Sequence, residues 1–189
     1  MARGLARDHD EKRRALRKGA AGYFAAHGFD RASMAGAARA CGVSKALIYH
    51  YWGSKEDLLF DILEDHLGAL VEVVEGAKDE GMRGLIRAIL SAYEDADAEH
   101  KLQLDALSVL PHDRQAPLIA MQRRLVEVMT DAVQQEAGPQ TPDRLRALAM
   151  SVFGILNWFY MWHRPGKGVS REEYAALAGD FVLSGLKGV

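Results

Sequence analysis

Apolar residues recur along this chain at intervals of three and four, and no stretch alternates with a period of two. That spacing predicts amphipathic helices and no strands. Leu16, Ala20, Tyr23, Phe24 and His27 mark a first helix over about 11–27, with His27 at the edge of its core and Gly28 as its stop. The first ten residues carry no such pattern and read as a mobile arm, in which Arg3 and Arg7 are either solvated charges or groove contacts. After a break at Gly53-Ser54, Ser54 caps a helix with Glu56 and Asp57 in its first turn. Leu58, Leu59, Ile62, Leu63, Leu67, Leu70, Val71 and Val74 carry that helix to roughly Gly76.

The remainder reads as helices over about 82–96, 99–110 and 113–137, the second stopped by Pro111 and the third by Gly138-Pro139. Pro117 lies close enough to the start of the third that the helix could begin nearer to it. Thr141 and Pro142 open a helix running through Trp162. Ser170 and Glu173 form a capping box before the last one. The pattern predicts an all-α protein of about nine helices.

Between the first and fourth helices, residues 33–52 form two short helices broken at Cys41-Gly42-Val43-Ser44, the layout of a helix-turn-helix. Ser33 caps the first, small alanines permit close packing, and Gly42 suits a turn that needs positive φ. Ser44 caps the second, in which Leu47 and Ile48 are apolar and Lys45, Tyr49, His50 and Tyr51 suit phosphates and base edges.

This stretch resembles the TetR family of transcriptional repressors. The likeness is carried by residues 20–24 (Ala-Ala-Gly-Tyr-Phe), 28–34 (Gly-Phe-Asp-Arg-Ala-Ser-Met), 42–52 and 54–59, and in detail it covers about 12–60. Leu47 stands where many relatives carry Thr or Ser, which removes a polar contact with DNA. Trp52 stands where Phe is usual, a change that should matter little. The resemblance implies a head at 1–54 that binds DNA through Ser33, Met34, Ser44, Lys45, Ala46, Leu47, Tyr49 and His50, joined by Lys55 at the start of the fourth helix. It also implies a helical effector-binding and dimerisation body at 55–189, with the fourth helix as the connection.

Charge supports that division. The net charge of −2 hides eleven Lys/Arg against six Asp/Glu in residues 1–60, and an acidic remainder. A basic head suits phosphate. With 49% hydrophobic residues and a single cysteine, Cys41, the composition is that of a soluble protein in a reducing cytoplasm. No secretory signal appears, and the longest apolar run, 147–162, is too short for a membrane span.

Catalysis finds no support: no phosphate-cradling glycine loop, nucleophile elbow or HExxH pair is present. The seven histidines are scattered without metal-ligand spacing, and no cofactor is implied. Asp61, Asp65 and His66 read as one solvated helix face.

The helix over 143–163 is apolar around most of its circumference, which calls for cover on all sides. A partner subunit would supply it, joined by the small-residue face of the last helix, so a homodimer through the last two helices is expected. Such a dimer presents two recognition helices about one DNA turn apart, suiting a palindromic double-stranded operator. Asn157 interrupts the apolar helix and needs a partner, whether ligand, subunit or backbone. Residues 157–166 are similar to a segment of TetR relatives that sense coenzyme A thioesters. That likeness implies an acyl-CoA effector, with Arg123, Arg124 and Arg164 for its phosphates and Trp158 and Trp162 for stacking, Asn157 beside them. A plain core and solvated arginines remain the alternative. A constitutive or activating regulator without inducer, and a helical protein-interaction adaptor, also stay open.

Overall fold

The computed structural model describes residues 2–189, and of the side chains before residue 9 only that of Arg7. The described residues form ten α-helices and two short 3-10 turns. The helices are α1 (Ala2–His27), α2 (Met34–Ala40), α3 (Lys45–Tyr51), α4 (Lys55–Ala77), α5 (Gly81–Ala92), α6 (Asp97–Ala106), α7 (His112–Ala137), α8 (Pro142–Asn157), α9 (Phe159–Trp162) and α10 (Arg171–Leu186). The 3-10 turns are Lys78–Glu80 and Leu107–Val109. Among the described residues the only β feature is one isolated bridge, Arg164 to Lys167.

The chain divides into two compact units. The first runs to His66 and takes in Asp95–Leu118; the second comprises Leu67–Glu94 and Ile119–Val189. In the first, α1 packs on α2 and α6, and α2 packs on α3. Leu16, Ala20, Ala21, Phe24, Phe29, Met34, Ala37, Ile48, Trp52, Leu58 and Leu59 are buried there. Gly36 lets α2 approach α1, since a methyl group at that position would collide with the Tyr23 hydroxyl. In the second unit α10 packs chiefly on α5, and α8 contacts both.

Local chemistry sets several helix starts. The hydroxyls of Ser33, Ser44 and Thr141 accept from the backbone N–H groups of Gly36, Leu47 and Arg144. Ser170 and Glu173 form the reciprocal capping box. Gly42 holds φ +67 in the turn between α2 and α3, a region costly for other residues.

Three elements depart from the sequence expectation. The first ten residues are not an arm: α1 begins at Ala2, and Arg7 pairs with Glu11 one turn on. The side chain of Arg3 lies outside the described residues. The third body helix, by contrast, runs as expected, from His112 and through Pro117, where both Pro117 and Asp113, whose carbonyl loses its N–H partner, are exposed to water. The helix expected to reach Trp162 breaks at Trp158, dividing into α8 and α9. At that break the Tyr174 hydroxyl donates to the Ile155 carbonyl, the group that would otherwise accept from Phe159. Finally, α5 stops at Ala92, and Asp95 takes φ 59 before α6.

Candidate nucleic-acid interface

Seven residues are too few for α3 to be stable alone, so packing must hold it. Ile48, fully buried, is its one buried side chain, and truncating such a residue costs about 2–5 kcal/mol. Opposite Ile48, Lys45, Ala46, Tyr49 and His50 are exposed, with Leu47 and Tyr51 half-buried. Lys45 Nζ sits 5.5 Å from the centre of the Tyr49 ring, one turn away. The structure thus collects a cation, a phenol and an imidazole on one open face of a short helix behind a tight turn. That set can donate to phosphate oxygens and to acceptors on base edges.

His9 joins this face. Its ring lies 4.7 Å from Tyr51 and 6.4 Å from His50, so the early turns of α1 run beside the end of α3. Sequence reasoning missed His9 because it treated the first ten residues as unstructured.

The other residues expected at the interface divide between surface and interior. Ser33 and Ser44 are exposed, with their hydroxyls engaged as caps. Met34 is buried at 5% exposure, so its side chain belongs to the core. Lys55 donates to the carbonyls of Phe29 (2.9 Å) and Ala32 (3.3 Å), with its ammonium over the Phe29 ring. It ties the loop between α1 and α2 to the start of α4. His27, expected at the edge of the core, is exposed, with Nδ1 at 2.9 Å from the Tyr23 carbonyl.

Trp52 does more than fill an aromatic site. Its indole N–H donates to Asp61 Oδ2 at 2.9 Å. Asp61 is buried and also pairs with Arg13 (2.9 Å) and Arg17 (3.5 Å), while Arg17 reaches Asp65 at 2.5 Å. The face of Asp61, Asp65 and His66 is therefore not simply solvated: only Asp65 is exposed. His66 is packed 6.1 Å from His100 of α6. Burial pushes the His66 pKa down to about 4, helped by the nearby His100 and Lys18 and opposed by a hydrogen bond with Gln103. Among the described residues no group of three or more His, Cys, Asp or Glu is placed to hold a metal ion.

The six effector candidates all fall in the second unit. Arg124 pairs with Glu75 and Glu127. Arg164 donates to the carbonyls of Met161 and His163 in its own loop. Asn157 accepts from the Tyr93 hydroxyl at 2.8 Å, a side-chain partner that none of the sequence alternatives included. Arg123, Trp158 and Trp162 are exposed. The cavity of about 420 Å³ beside Phe24, Phe29 and Leu102 lies in the first unit and is lined by none of the six.

Residues 16–62 match the family model described as bacterial regulatory proteins, tetR family. Residues 75–186 match that of the tetracyclin repressor-like C-terminal domain. A TetR-family transcriptional regulator from Bordetella parapertussis superposes with a TM-score of 0.84 at 30% identity, covering 90% of this chain and 93% of that one. The putative mycofactocin biosynthesis transcriptional regulator MftR of Mycobacterium tuberculosis is 28% identical over 170 residues, covering 86% of this chain and 85% of its own. A solved complex of AibR with isovaleryl coenzyme A and operator DNA shares the fold, with a TM-score of 0.73 at 24% identity over 89% of this chain and 97% of that one.

Proposed function

The chain belongs to the TetR family of bacterial regulatory proteins and is a DNA-binding transcriptional repressor of that family; from that premise we propose that it is a homodimer reading a palindromic operator and released by a small apolar effector. The observation that carries this reading is the exposed face of α3, where Lys45, Tyr49 and His50 stand opposite the single buried anchor Ile48. In this reading residues 1–54 are the head and 55–189 the body. The protein works in the cytoplasm, where its DNA is; no helix among the described residues is long and apolar enough to cross a membrane.

Dimerisation is supported by exposed apolar side chains on α8 and α10 and at the end of α8. Phe181 is 70% exposed, Trp158 62%, Leu177 59% and Met150 50%. Apolar groups of this size grouped on two helices suit a second copy of the same face. An acyl-CoA effector is supported by the likeness of residues 157–166 to the CoA-sensing branch and by AibR, a relative in fold solved with isovaleryl coenzyme A. Arg123, Arg124 and Arg164 would take the phosphates, with Asn157, Trp158 and Trp162 nearby in sequence or on adjoining segments. For Arg124 the phosphate must displace Glu75 and Glu127. Release follows only if the effector binds the non-DNA-binding arrangement more tightly; equal affinity for both arrangements shifts nothing.

Selection of duplexes from a randomised pool tests the reading. A two-fold symmetric sequence should emerge, with affinity that falls steeply with salt. K45A should lower the salt slope by about one per protomer. Acyl-CoA esters of graded chain length, and aromatic ones, should then release the selected duplex. No release across the series removes the CoA reading, and a shallow salt slope removes the DNA reading.

A further inference from the structure

Recognition of a sequence, as distinct from attraction to phosphate, demands that the base-reading side chains be aimed. A helix with one fully buried side chain can still roll about that anchor, and in α3 only Ile48 is buried, with Leu47 and Tyr51 half-buried beside it. A second, directional attachment is needed at one end. Trp52, the C-cap residue of α3, supplies it. Trp52 is 4% exposed and Asp61 8%, and the 2.9 Å bond from the indole N–H to Oδ2 lies between them. The other carboxylate oxygen meets Arg13 and Arg17 of α1, so one group on α4 fixes the end of α3 against two helices at once. Phenylalanine would supply the ring at this position but not the donor.

We infer that Trp52 is a positioning residue which, through Asp61, sets the roll of α3 and thereby the discrimination between DNA sequences by Lys45, Tyr49 and His50. The inference rests on the reading of α3 as DNA-facing. Its consequence is selective: loss of the indole N–H misaims contacts to base edges, which depend on angle, and leaves attraction to phosphate, which depends on charge. An affinity ratio therefore reports on it, where stability alone would not.

The test uses the full-length protein, the duplex that wild type selects from a randomised pool, and a scrambled duplex of the same length and composition. For W52F, affinity for the scrambled duplex should stay within about twofold while affinity for the selected duplex falls by about tenfold or more. A lowered melting temperature with an unchanged ratio would mean that Trp52 only packs, and would overturn the inference. Should W52F fail to fold, Asp61 variants decide. D61N keeps an oxygen for the indole but turns an amide NH2 toward Arg13 and Arg17, so it should retain clearly more of the ratio than D61L, which removes both contacts. In ¹⁵N-labelled protein the Trp52 indole N–H signal should hold its position in D61N and move in D61L. Equal loss of the ratio in both variants counts against the inference. If wild type selects no sequence at all, the DNA-facing reading itself fails, an outcome distinct from a wild type that selects and a W52F that discriminates equally well.

Discussion

The Tyr93 hydroxyl donates to Asn157 Oδ1 at 2.8 Å, joining the C-cap residue of α5 to the last residue of α8. Tyr93 is 4% exposed, and burial raises its pKa, so the phenol keeps its proton across the working range. Removal of the hydroxyl in Y93F leaves the amide oxygen half-buried without that donor. A loss of about 1–2 kcal/mol is expected for such a group. Urea unfolding measures it, and an unchanged midpoint would show the bond to be energetically idle.

Lys55 offers a choice between two roles with different signatures. A phosphate contact would make K55M lower the salt slope of operator binding by about one per protomer. The carbonyl bonds to Phe29 and Ala32 instead predict a slope unchanged within error and a stability loss of about 1–3 kcal/mol, as for hydrogen bonds from a charged donor. Salt titrations of wild type and K55M, together with their melting curves, separate the two.

Among the described residues Phe181 is the most exposed of the large apolar side chains, at 70%, and Leu177 lies one turn before it on α10. A charge there should be harmless to a monomer and costly in a buried interface. F181E is therefore expected to sediment as a monomer with near-native helicity, and to lose most operator affinity because two linked heads bind more tightly than one. A dimeric F181E would place the interface elsewhere.

What the sequence made legible was what depends on near neighbours. Ser33, Ser44, Thr141 and Ser170 act within three residues of themselves, so their caps could be read directly, as could the positive φ at Gly42. The break at Trp158 could not, because it accompanies a bond from Tyr174, nineteen residues beyond the Ile155 carbonyl it meets. Asp61 followed the same logic. Carboxylates one turn apart look like a wet face until Trp52, Arg13 and Arg17 arrive from other helices. Lys55, a cation at a helix start, looks like a phosphate contact until the loop from α1 folds over it. Trp52 carries a local signal of its own: a residue larger than the usual phenylalanine, with a donor that burial obliges to find an acceptor. The effector candidates stand scattered along the sequence because no local pattern says which surface closes around a ligand.

His66 makes stability depend on acid in a defined window. Its folded-state pKa is about 4 against 6.5 for an ordinary histidine, chiefly because burial disfavours the charged ring and secondarily because His100 lies 6.1 Å away. Between those values the unfolded chain binds the proton and the folded one does not, so stability rises with pH there. The contribution is fully present above about pH 6.5 and drains away as pH falls toward 4, by on the order of 3 kcal/mol in all. Urea midpoints at pH 7.5 and pH 5 should therefore differ, and H66Q, which cannot take up a proton, should narrow the difference. Because His66 ends the first unit's share of α4 and His100 sits on α6 of the same unit, acid should loosen α6 in particular. Amide exchange in Asp97–Ala106 should quicken at pH 5 in wild type more than in H66Q. A variant with the wild-type pH dependence would assign the effect to other groups.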